Sequence, residues 1–342
     1  MMKTIITLFI TFRILPLYSQ SIQKENSDFP VLSGPYMGQK PPGIIPELFA
    51  PEIISDGMPN RDIAISPSED EIYFSVYTQN FQFSTILFTK QINGIWTKPE
   101  VATFASDPRY KYIEPAFSSD GKKLFFASNM PKDGTVNPGD HDIWVVDRIN
   151  NGWGKPYNLG APVNTPGGEY FPSLTKSGTL YFTRNEPGES ISYIYFSRLV
   201  NEKYSLPEKL PEQINCGEDR YNAYISSDES FMVVPAQGVE KGADGAFYYI
   251  VFKKEDGTWH NPLNMGTLIN SKSGKGWSLS IPPDGKYIFF MASKKSTNMI
   301  LPETLSMNFL RETYLKPENG NSDIYWVDAK ILETMRVNRQ EF

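Results

Sequence analysis

The residues best able to do chemistry in this chain are carboxylates at a wide, regular spacing: Asp62, Glu114 and Glu169, 52 and 55 residues apart. Two carboxylates facing one substrate can serve as general acid and general base, with a third tuning a pKa, as glycoside hydrolysis requires. Around them stand Asn60, Arg61, Tyr112, Tyr170, Arg220, Tyr221, Asn222 and Trp277. Arginine, amides and aromatic faces suit a polar ligand such as a sugar or a peptide end, held without turnover. Glu169 is one step out of register with the other two carboxylates, and no glycosidase motif surrounds any of them. A binding module is therefore the first reading, and a glycosidase-like hydrolase using Asp62, Glu114 and Glu169 is the alternative.

Other chemistries lack their residues. The only cysteine is Cys216 and the only histidines are His141 and His260. An intramolecular disulfide and a cysteine-rich zinc site are ruled out, and a histidine-cluster metal site is not expected. Neither histidine falls among the candidate positions, which leaves a Ser-His-Asp triad without its base. His141, between Asp140 and Asp142, reads as a solvent-exposed turn. No cofactor is expected.

The elements that must position these residues repeat along the chain. A strand–turn–strand recurs as "IAISPSEDEIYFS" (63–75), "PAFSSDGKKLFFAS" (115–128), "PSLTKSGTLYFT" (172–183), "AYISSDESFMVV" (223–234) and "LSIPPDGKYIFFMAS" (279–293). Its turn residues Ser68, Asp120, Ser177, Asp228 and Asp284 lie 52, 57, 51 and 56 residues apart. Asp-Gly or Ser-Gly between alternating apolar runs is a hairpin signal, because glycine accepts the positive φ the turn needs. An apolar strand follows each hairpin, as in "DIWVVDR" (142–148) and "DIYWVDA" (323–329). Then comes a large apolar residue three before a proline: Trp96–Pro99, Trp153–Pro156, Tyr204–Pro207 and Trp259–Pro262. The fifth copy, Leu48–Pro51, precedes the first hairpin.

Four strands per unit at a period near 50 is the signature of a β-propeller. The displaced copy gives one strand, four full sets and a final set of three: five blades, with residues 46–54 completing the last against 323–329. Period-two alternation sorts the innermost strands. Ile65, Phe117, Leu174, Ile225 and Ile281 form the core column. Ala64, Ala116, Ser173, Tyr224 and Ser280 line the channel, and so do Asp62, Glu114, Phe171, Asn222 and Ser278. On the same alternation Asn60, Tyr112, Glu169, Arg220 and Gly276 also face the channel. All five packing tryptophans, Trp96, Trp144, Trp153, Trp259 and Trp326, fall in repeat strands.

The segments "PAFSSDGKKLFFAS" with "DIWVVDR", and "IPPDGKYIFFMAS" with "DIYWVDA", resemble the TolB-type, WD40-like (PD40) propeller repeats. The resemblance covers about residues 60–330. It implies an all-β propeller and a role in interaction. TolB itself has six blades and a preceding α/β domain; a six-bladed ring is thus the alternative to the five counted here.

The net charge of −6 and the lack of a basic run leave nothing to neutralise phosphates, so nucleic acid is not an expected partner. Residues 1–19 have a basic start and an apolar stretch and read as a cleaved signal peptide. No cysteine follows for lipid attachment, and no membrane span is expected after processing. The reading is a periplasmic or secreted monomer with a protein, carbohydrate or peptide ligand. Residues 20–45 read as a linker, 46–336 as one propeller, and 294–322 as an insertion that forms a short helix or covers the channel mouth.

Overall fold

The computed structural model describes residues 29–132, 139–150, 152–241, 245–270, 276–296 and 299–338. The chain divides into residues 1–31 and 32–342, and the architecture below is that of the second unit. The expected signal segment lies outside the described residues.

Five antiparallel sheets follow one another as blades of a propeller. Each begins with an innermost strand: Asn60–Ile65, Tyr112–Phe117, Gly168–Leu174, the interrupted Asp219–Arg220 and Tyr224–Ile225, and Leu279–Ser280. The second and third strands are the long ones, for example Phe231–Gln237 and Phe247–Phe252 in blade 4. They are buried on both faces because each sheet is sandwiched between its neighbours, and their sequences are accordingly continuous in apolar residues. The outer strands are only two residues long, such as Glu208–Lys209 and Leu263–Asn264. Short, charged or proline-flanked edges present little backbone to a passing strand.

The outer edge of blade 5 comes from the other end of the chain. Glu47 and Leu48 pair with Trp326 and Tyr325, and Phe49 N–H continues to Ile324 O at 2.8 Å. The regular pairing covers two residues rather than the nine of 46–54. Beyond it, Ser55 Oγ accepts from Ile324 N–H at 3.2 Å. This is one copy of a device not anticipated from the sequence. In blades 2, 3 and 4 an asparagine after the outer strand takes the equivalent position. Asn164, Asn215 and Asn270 each accept from the N–H and donate to the C=O of Ile143, Ile194 and Tyr248. The third strand would otherwise leave those edge groups without partners, a cost of about 1–3 kcal/mol per buried group.

Residues 32–38, expected as linker, are packed. Trp96 of blade 1 donates its backbone N–H to Leu32 O at 2.9 Å and its indole Nε1–H to Gly34 O at 2.8 Å. Tyr36 and Met37 are buried in one cluster with Phe49, Phe289 and Trp326. The Tyr36 ring lies 5.2 Å from Tyr287 and 5.5 Å from Trp326, and its hydroxyl donates to Asp284 Oδ2 at 2.9 Å. One short segment therefore holds the outer edge of blade 1 and the face of blade 5.

The insertion contains a helix, Met307–Tyr314, with Ser306 Oγ accepting from Phe309 N–H at its start. None of its residues is buried, and Leu305, Met307, Leu310 and Tyr314 are exposed. Asn319 and Asn321 anchor its base by donating to Gly57 O at 2.9 and 2.8 Å. None of its residues lines the channel cavities described next.

Candidate functional site

Four of the five innermost strands share a defect, and the site follows from it. Their pairing with the second strand slips between Arg61 and Ala64, Ile113 and Ala116, and Tyr170 and Ser173, and breaks between Arg220 and Tyr224. At each slip one residue takes a left-handed conformation: Asp62 (φ 53°), Glu114 (62°), Phe171 (52°) and Asn222 (50°). These are β-bulges, which free a backbone N–H from the ladder and turn the following side chains by one position.

The freed N–H groups form a ring around the channel. Glu114 N–H donates to Ser75 Oγ (3.0 Å) on blade 1, and Phe171 N–H to Glu114 Oε2 (2.7 Å) on blade 2. Asn222 N–H donates to Thr183 Oγ1 (2.9 Å) on blade 3, and Ser278 N–H to Tyr248 Oη (3.2 Å) on blade 4. Asp62 N–H closes the circle on Ser278 Oγ (3.1 Å) of blade 5. Every blade thus donates to a side chain of the blade before it.

Inside this ring Arg61 bridges two carboxylates. Its Nε lies 2.6 Å from Asp62 Oδ2 and its Nη2 2.8 Å from Glu114 Oε1. All three side chains are buried. Burial opposes the Arg61 charge, but the two carboxylates hold its pKa above the ordinary value. Burial pushes Glu114 up to about 8; the Arg61 charge works against this and the Asp62 charge with it. The triad stands across the channel between two cavities, both of which Glu114 reaches.

The cavity at the mouth, on the side where the inner strands begin, has a volume of about 790 Å³. Arg61, Ile113, Tyr170 and Tyr221, the residue before each bulge, and Trp277 at the equivalent place in blade 5 line it from all five blades. The Arg61 guanidinium lies 5.9 Å from the Trp277 ring centroid and 6.0 Å from that of Phe81, a favourable arrangement of cation and π face. Tyr77 stacks behind Phe81 at 4.2 Å. Asn222 and Gln237 add amides.

The bulge explains where the sequence reading succeeded and where it did not. Arg61, Asp62, Glu114, Tyr170, Tyr221, Asn222 and Trp277 do meet at the channel. Asn60, Tyr112, Glu169 and Arg220, two before each bulge, do not line either cavity. Unbroken alternation placed them in the channel; the extra residue turns them into the blades. Tyr112 packs in the core with Phe126 and Trp144. Arg220 donates to the carbonyls of Cys216, Ser192 and Gly217. Glu169 accepts from Arg184 Nε at 2.9 Å and from Thr165 N–H at 3.0 Å. With Glu169 turned away and Asp62 and Glu114 sharing one guanidinium, the three-carboxylate arrangement is not assembled.

Phe81 and His141 are among the mouth residues that the sequence reading missed. Phe81 sits in a loop between the second and third strands of blade 1, where strand alternation gives no signal. His141 was read as an exposed turn, yet it lines the mouth cavity, and its Nε2 is shielded from solvent with no hydrogen-bond partner among the described residues. Burial, reinforced by the charges of Lys111 and Arg61, lowers its pKa to about 4, so the imidazole is neutral at ordinary pH. Its presence at the end of a loop leading into the third strand of blade 2 was the available signal.

No family model and no curated protein matches the sequence. Among solved structures the chain is similar to TolB from Acinetobacter baumannii, with TM-score 0.46 and 16% identity, over 80% of this chain and 57% of that one. It spans little more than half the length of that protein. Putative TolB from Agrobacterium tumefaciens is similar with TM-score 0.44 and 12% identity, over 79% of this chain and 90% of that one. The catalytic domain of a GH62 α-L-arabinofuranosidase from Coprinopsis cinerea has TM-score 0.43 and 9% identity, over 83% and 94%. The propeller assignment itself rests on the pairing of the five sheets and on the ring of hydrogen bonds that joins them.

Proposed function

We propose that this protein is an exported binding module that holds a polar ligand at the channel mouth. The observation that carries this reading is the convergence of one side chain from every blade, at equivalent positions of the inner strands, on a single cavity of about 790 Å³. The half-buried faces of Trp277, Tyr170, Tyr221 and Phe81 would stack on a flat, weakly polar ring. Arg61, Asn222, Gln237 and the neutral His141 supply donors and acceptors around those faces. Aromatic faces flanked by such groups match a saccharide, whose ring has an apolar face and a polar rim. Export is supported by the composition of residues 1–19, and no helix among the described residues is long and apolar enough to cross a membrane.

The test is titration calorimetry of the mature protein against a panel of oligosaccharides. Binding by the wild type and at least tenfold weakening in Trp277→Ala, as loss of one stacking face implies, is the expected result. Wild-type protein that binds none of the panel overturns the saccharide assignment. Hydrolysis of chromogenic glycosides by wild type, abolished in Glu114→Gln, would replace binding by catalysis.

A further inference from the structure

Beyond the triad, at the end of the channel where the inner strands run into their turns, lies a second cavity of about 1140 Å³. Nearest the triad its wall is Ala64, Ala116, Ser173 and Ser280, with Tyr224 from blade 4. Side chains this small leave a bore rather than a packed core.

The polar groups of that wall have partners. Ser280 Oγ donates to Ile63 O at 2.7 Å, Tyr224 Oη to Ile281 O at 3.2 Å, and Ser173 Oγ accepts from Ile225 N–H at 3.1 Å. Asp62 is the exception at the head of the bore. Its side chain is 1% exposed and Oδ2 is held by Arg61. Its Oδ1 has no hydrogen-bond partner among the described residues. A buried carboxylate oxygen without a donor is costly, and a group that supplies the donor recovers that cost on binding. A ligand that carries its N–H donors on a positive charge answers that acceptor most strongly, because a charge-assisted hydrogen bond to a carboxylate is the stronger kind. Along the small-residue wall an alkyl stem would lay its methylenes against Ala64 and Ala116.

We propose that the lower cavity is a binding site for an unbranched primary alkylammonium, whose –NH₃⁺ donates to Asp62 Oδ1 while its alkyl stem runs down the bore. A free diamine and the side chain of a lysine on another protein offer the same chemistry. The site is distinct from the one at the mouth, and the Arg61–Asp62–Glu114 triad stands between the two.

The experiment is titration calorimetry of the mature protein in phosphate buffer with three probes: 1,5-diaminopentane, Nα-acetyl-lysine amide, and N,N,N-trimethylpentylammonium, which carries the charge without N–H donors. Binding of the diamine but not the lysine derivative assigns a free amine, and binding of the lysine derivative assigns a side chain. Absence of binding by both overturns the proposal, as does a trimethyl probe that binds equally well. Asp62→Asn is expected to weaken the amine about tenfold or more, the scale of a charge-assisted hydrogen bond. Asparagine tolerates the left-handed backbone at this position. Should that variant fail to fold, Ala116→Leu narrows the bore and leaves the triad untouched. It is expected to abolish amine binding, and unchanged affinity in it overturns the location.

Discussion

Phe171 of blade 3 donates its backbone N–H to the Glu114 carboxylate of blade 2 at 2.7 Å, which makes this the one tie in the inter-blade ring whose acceptor is a carboxyl group. The other four acceptors are hydroxyls.

That tie gives the protein a pH signature. Burial raises Glu114 from an ordinary carboxyl value of 4.5 to about 8. Between those values the folded chain retains a proton that the unfolded chain has released, so this group's contribution to stability is complete below about 4.5 and is lost as pH rises through about 8. Glu114→Gln removes the titration. The thermal midpoint of wild type minus that of the variant is expected to fall steadily from pH 4.5 to 8, and a flat difference contradicts the raised value.

His141 should behave in the opposite sense. Its pKa is lowered from 6.5 to about 4, so its contribution is present above 6.5 and lost as pH falls through 4. Proton NMR of the ring resonances follows it directly, because only His260 must be told apart, by His260→Gln. The His141 signals are expected to stay in their neutral positions down to about pH 4. Titration near 6.5 would mean that the ring faces water.

The segment through Gly34 and Tyr36 is expected to stabilise the ring at both of its contacts. Trp96→Phe keeps most of the packing and removes the bond to Gly34; Tyr36→Phe removes the bond to Asp284. Each should cost about 1 kcal/mol in chemical denaturation. Deleting residues 20–55 also strips Glu47 and Leu48 from the edge of Asn319–Asp328, and the exposed strand should promote self-association. A truncated protein that stays monomeric and equally stable refutes the role given to this segment.

Gly57 should control the exposed helix without touching either cavity. Its φ is +94°, and an added Cβ would stand 2.6 Å from the Leu315 carbonyl carbon. Gly57→Ala is therefore expected to cost at least about 1 kcal/mol and to loosen residues 299–315. Limited proteolysis should cut that segment faster in the variant, and an unchanged cleavage rate counts against the docking described.

The blades were legible because their signals are chemical: turn residues every 51 to 57 positions and apolar runs between them. The small column of Ala64, Ala116, Ser173 and Ser280 was legible for the same reason, since it lies past the bulge where alternation resumes. The bulge itself was not. Left-handed residues usually announce themselves as glycine, and here they are Asp62, Glu114, Phe171 and Asn222, of which only the aspartate and the asparagine carry a hint. Glu169 and Arg220 were misplaced by that single residue. The asparagine that holds the third-strand edge was readable in "APVN" (161–164), "EQIN" (212–215) and "TLIN" (267–270), and its serine counterpart in "EIIS" (52–55) would have tied the early segment to blade 5.

The ring of inter-blade ties also sets an order in time. Four of the five link positions 30 to 57 residues apart, but Asp62 to Ser278 spans 216. Closing so long a stretch is entropically the most expensive of these steps and the slowest to be rewarded. Blades 1 to 4 can form as the chain is made, while blade 1 keeps an open flank until blade 5 arrives. Residues 36–49 wait with it, since their partner strand Asn319–Asp328 is made long after them. Completion of the ring is thereby deferred until residues 319–328 have been made, and the domain stays incompletely folded until then.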